Sequence, residues 1–111
     1  MKIKFKDFLN EELLWSNEDE NFKNPVSNIP KSQIIDIFKE RGLSCDEKDN
    51  WQNEITYNTI ENTIEITYTS YKYGGEMPKD LSIFMQEIAD ILDASDWNFV
   101  DPMSKVIFYF D

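Results

Sequence analysis

The chain has 111 residues, enough for one hydrophobic core, and its 41% apolar and 14% aromatic content argues against wholesale disorder. Twenty-two acidic residues against eleven basic ones leave a net charge of −11; such a field repels nucleic acid and anionic membrane and favours basic surfaces. Histidine is absent and cysteine occurs once, at Cys45, which excludes Ser–His and Cys–His nucleophiles, an ordinary His/Cys zinc site and an intramolecular disulfide.

Along residues 1–15, Ile3 and Phe5 alternate with lysines as in a strand, while Phe5, Phe8, Leu9 and Leu13 recur at helical spacing. A short helix from about Asp7 to Trp15 is the favoured reading, with a strand as the alternative. Residues 16–28 are polar and contain Asn24-Pro25, a loop signal, with Phe22 and Val26 as apolar pins. The spacing of Ile34, Ile35 and Phe38 predicts a helix over about 30–41. Pro30 suits its first turn, and Gly42 the left-handed residue that closes it. Residues 44–50 read as a polar, acidic loop.

Alternation then predicts a hairpin over about 52–71. Ile55, Tyr57 and Thr59 share one face with Ile64, Ile66 and Tyr68, and Glu61-Asn62 lies at the turn. Gly74-Gly75 breaks the second strand. A helix over about 78–94 follows, with Leu81, Phe84, Met85, Ile88, Ile91 and Leu92 in an apolar arc a little over about 100° wide. Trp97 and Phe99, a turn at Asp101-Pro102, and Val106, Phe108 and Phe110 predict a second hairpin over about 97–110. Ile107 and Tyr109 make the other face of the last strand apolar too, so it is expected to lie centrally and be covered on both sides. The fold class is therefore α+β: an antiparallel sheet of two hairpins with the two helices packed on one face, in a single acidic domain spanning 1–111.

No residue constellation points to catalysis, a cofactor or a metal. Asp46, Glu47, Asp49 and Asn50 lack the spacing of a calcium loop. Gly74-Gly75 lacks the Lys-Ser/Thr of a phosphate cradle, and Glu76 opposes one. Cys45 follows a helix end instead of preceding a helix, so a buried, inert thiol is expected. With no apolar run near the roughly 20 residues of a membrane span, no signal-type segment and no disulfide, the expected setting is cytoplasmic.

What remains is recognition. Asp46, Glu47, Asp49 and Trp51 before the first hairpin, and Tyr71, Tyr73 and Glu76 after it, join aromatic anchors to carboxylates. On the second helix, Ile83 lies about 200° from Leu81, among Glu87 and Asp90 on the outer face. These ten residues are the expected surface for a basic protein partner, such as a nuclease toxin neutralised by an immunity-type inhibitor. An inhibitor mimicking nucleic acid and a subunit of a larger assembly are the alternatives. Packing of Trp51 into the core is the competing reading for that residue.

Overall fold

The computed structural model of the chain describes residues 24–70, 78–101 and 104–111. The N-terminal helix or strand, Phe22, Tyr71, Tyr73, Gly74-Gly75 and Glu76 lie outside the described residues. A 3-10 turn at Val26–Asn28 leads into helix α1, Lys31–Lys39. Strands β1 (Leu43–Ser44), β2 (Glu54–Asn58), β3 (Thr63–Thr67) and β4 (Thr69–Ser70) follow, then helix α2 (Leu81–Leu92) and strands β5 (Asp96–Asp101) and β6 (Lys105–Tyr109). The expected α+β arrangement is what forms.

The main sheet has the order β2-β3-β6-β5, every neighbour antiparallel, and β1 pairs separately with β4. Because side chains alternate across a strand, the register places Tyr57, Ile64, Phe108 and Trp97 in one row and Ile55, Ile66, Val106 and Phe99 in the next. Both rows face the helices and join one core with Ile34, Ile37 and Phe38 of α1 and Leu81, Met85, Ile88, Ala89 and Leu92 of α2. Phe38 meets Tyr68 at a ring separation of 5.7 Å, fastening α1 to the end of the first hairpin.

The helices are shorter than the pattern predicts. Pro30 caps α1 in an extended conformation instead of entering its first turn. Its far end tightens through Arg41 N–H to Phe38 O, and Gly42 closes it at φ 77°. Helix α2 begins at Leu81, and Asp93, left-handed at φ 64°, ends it. Two expected stripe residues sit off the buried arc of their helices, although Ile35 still packs against the core's edge. Ile35 is half-buried while Ile37 takes the inner place, and Ile91 is exposed while Ala89 is buried. At 100° per residue each misplaced isoleucine lies roughly 105° from the centre of its helix's buried arc.

Strand β6 is central, as expected, yet among the described residues it is covered on one side only. Both buried helical stripes meet the Val106–Phe108–Phe110 face, leaving Ile107 half-buried and Tyr109 exposed on the other. There Lys105 Nζ lies 3.6 Å from Glu65 Oε2, the polar chemistry of a sheet wet on one side.

The first hairpin turns through residues 59–62, so Thr59 leaves the strand. Asn58 Oδ1 accepts from the N–H of Ile60 and of Glu61, both at 3.0 Å. Asn62 then takes φ 56° with its side chain fully buried. Its Oδ1 accepts from Val26 N–H at 2.9 Å, and its Nδ2 donates to Asn24 O at 3.1 Å and Phe110 O at 3.3 Å. One turn residue thus ties the segment before α1 to the end of the chain.

Candidate functional site

The segment from Cys45 to Asn53 joins β1 to β2 and has almost no apolar residue to bury, so hydrogen bonds hold it. Buried Ser44 donates from Oγ to Asp49 Oδ2 at 2.6 Å and accepts from Asp46 N–H at 3.3 Å. Asp46 Oδ1 accepts from Lys48 N–H, and Asn50 Oδ1 from Gln52 N–H, two side-chain-closed turns in succession. Asn53 is 2% exposed and donates from Nδ2 to Asp46 O at 2.9 Å. The bonds leave Trp51 at the outside, 85% exposed, which overturns the core-packing reading of that residue. Asp46 and Asp49 serve as braces of the loop, whereas Glu47 is exposed.

Cys45 is buried at the base of this loop. Burial, followed by the negative charge of Asp46, pushes its thiol up from 9.0 to about 12, so thiolate is scarce at neutral pH. Tyr57, whose hydroxyl donates to Ile29 O, is also shifted upward, by burial first and then by Cys45. Among the described residues no group of three or more His, Cys, Asp or Glu side chains could hold a metal ion, and no helix is long and apolar enough to cross a membrane.

Between α1 and this loop lies a cleft of about 570 Å³. Ile35, Cys45 and Ile55 supply its apolar wall, and Asn53 lines it as well. Lys31, Lys39 and Lys48 stand around it, together with Asp36, Asp46, Glu47 and Glu54. Sequence reasoning missed the cleft, since its walls come from residues up to twenty-four positions apart; the one available signal was the off-centre Ile35.

Among the described residues, the other expected site residues lie on α2. Ile83 is 56% exposed, and Glu87 and Asp90 are exposed beside it. Both carboxylates have internal partners: Arg41 Nε donates to Glu87 Oε1 at 3.0 Å, and Gln86 Nε2 to Asp90 Oδ1 at 3.1 Å. Arg41 also donates to Ile37 O, so this ion pair ties the end of α1 to α2. Gln86 Oε1 in turn accepts from Trp97 Nε1 at 3.0 Å, linking α2 to β5. The expected partner residues that are described thus form two groups on separate elements, one on the Trp51 loop and one on α2; Tyr71, Tyr73 and Glu76 lie outside the described residues. Comparison with protein-family models, with curated proteins and with solved structures finds no match to this chain.

Proposed function

We propose that the protein is a small, acidic, non-enzymatic inhibitor of the immunity type, which neutralises a basic protein such as a nuclease toxin by covering its active or substrate-binding surface. The observation that carries this reading is Trp51, 85% exposed on a loop that hydrogen bonds already hold in shape. A large aromatic side chain kept in water costs solvation free energy in the free protein and returns it on docking, and a pre-braced loop loses little entropy when it binds. The net charge of −11 steers a basic partner toward the surface and repels nucleic acid that would compete for the same target. The proposed setting is the cytoplasm, where a lone thiol stays reduced.

The test is a calorimetric titration against the basic polypeptide that co-purifies with the protein or is encoded beside it, with the partner's own activity followed in parallel. The expected result is a stoichiometric complex that suppresses that activity and weakens at least about tenfold between about 50 and 300 mM salt. Substrate turnover by the purified protein alone, or a complex indifferent to salt that leaves the partner active, contradicts the reading.

A further inference from the structure

We propose that residues 1–6 of this chain add as a further strand along the open edge of β5; this needs no protein partner and goes beyond the inhibitor reading. Strand β6 alternates its hydrogen bonds between its two neighbours. Phe110 N–H donates to Asn62 O at 3.1 Å and Tyr68 N–H to Ser104 O at 2.9 Å, so its even-numbered residues bond toward β3. The odd-numbered Ile107 and Tyr109 therefore bond toward β5, where they oppose Asn98 and Asp96. By the same alternation the N–H and C=O of Trp97 and Phe99 point away from β6, to the open edge of the sheet. Trp97 N–H is met there by a side chain of its own strand, Asp96 Oδ1 at 2.8 Å. Natural sheets blunt an open edge with lysine, proline or a covering segment, and β5 has neither lysine nor proline. On β2, the other edge strand, Ile55 is buried and the Tyr57 hydroxyl donates to Ile29 O, so its inner side chains are already engaged.

The side chains of β5 alternate in a pattern that these six residues match. Asp96 and Asn98 are exposed on the wet face, whereas Trp97 and Phe99 are half-buried on the core face with their rings edge to face at 5.1 Å. Residues 2–6 read Lys-Ile-Lys-Phe-Lys, so a strand there sets Ile3 and Phe5 beside the two rings and its lysines beside Asp96 and Asn98. Charge selects this segment over a second copy. Residues 1–6 hold three of the chain's eleven basic side chains and no carboxylate, which leaves the rest three charges more negative than the overall −11. Two β5 edges would instead bring a pair of −11 chains together with no lysine between their strands. The tether fits as well. Asn24 donates from N–H to Asp111 O and from Nδ2 to Asp93 Oδ2, both at 3.0 Å, so the chain joins the fold at the corner where β5 begins. The seventeen residues between Lys6 and Asn24 span up to about 55 Å when extended, well beyond the roughly 20 Å of β5.

The test is NMR of the full chain, reading both through-space contacts and amide hydrogen exchange. The expected result is nuclear Overhauser contacts from Ile3 and Phe5 to Trp97 and Phe99, with slow exchange at the Phe99 amide. Replacing the three lysines together (Lys2→Glu, Lys4→Glu and Lys6→Glu), and separately Phe5→Ser, should speed exchange at Phe99 at least about tenfold while Ile66 in central β3 keeps its rate. A sample that mixes differently labelled chains should show the contacts within a chain only. No contact between residues 1–6 and β5, an unchanged Phe99 rate in either variant, or contacts between chains would each overturn the proposal; contacts between two β5 strands would make a second copy the occupant. The basic partner enters neither measurement, so failure here removes the added strand and leaves the inhibitor reading to stand or fall on the salt-sensitive complex.

Discussion

At the scale of single residues, Asn62 does two jobs that substitutions can separate. Its left-handed backbone turns the hairpin, and its buried amide joins residues 24–26 to residue 110. Asn62→Gly keeps the turn and removes the amide, and should cost about 2–4 kcal/mol because a buried N–H and carbonyls lose their partner. Asn62→Ala should cost roughly 1–2 kcal/mol more, the penalty of a Cβ in left-handed backbone. Urea unfolding of the two variants measures both figures, and equal losses would refute the division. Cys45 makes a second prediction. The folded thiol keeps its proton up to about pH 12, whereas the unfolded thiol loses it near 9.0. The stability from the protonated thiol is therefore complete below pH 9 and is lost as pH rises toward 12, and the raised Tyr57 hydroxyl acts in the same direction. Unfolding midpoints at about pH 8 and about pH 10.5 should show this decline, and Cys45→Ala should reduce it.

Among the elements, the first hairpin was readable because a period of two runs along β2 and β3, and the second because β6 is a short apolar run bounded by turn residues. The pair β1 and β4 was not, for two residues carry no period; Leu43 and Ser44 are a strand only because Ser70 and Thr69 lie opposite them. The two helices among the described residues were legible in their facing, and their starts moved inward by up to three residues because Pro30 and Asp80 are caps with non-helical backbone whose carbonyls accept the first helical bonds. In the candidate site, the exposure of Ile83 followed from helical geometry, whereas that of Trp51 depended on side-chain bonds among Ser44, Asp46, Asp49 and Asn53 that no spacing rule encodes. The stop of α1 offers a test at this scale. Gly42→Ala at φ 77° should cost about 1–2 kcal/mol, and a melting temperature equal to that of the unmodified protein would show that the turn relaxes around the new methyl group.

For the whole molecule, in the proposed complex with a basic protein, charge and anchor belong to different stages of one event. A net charge of −11 would raise the rate of association with a basic partner, and it destabilises the free fold through self-repulsion. Added sodium chloride up to about 300 mM should therefore raise the melting temperature of the free protein while it loosens the complex; a free protein that melts lower in salt would point to ion pairs such as Arg41–Glu87 outweighing the repulsion. Holding the proposed complex together, in contrast, would fall to the surface that excludes water, for which the proposal sets exposed Trp51 at the centre. The most direct measurement is the calorimetric affinity of Trp51→Ala for the basic partner at fixed salt, beside its melting temperature. The account predicts a loss of about 2 kcal/mol or more in binding with the fold's stability unchanged. An affinity equal to that of the unmodified protein would contradict it.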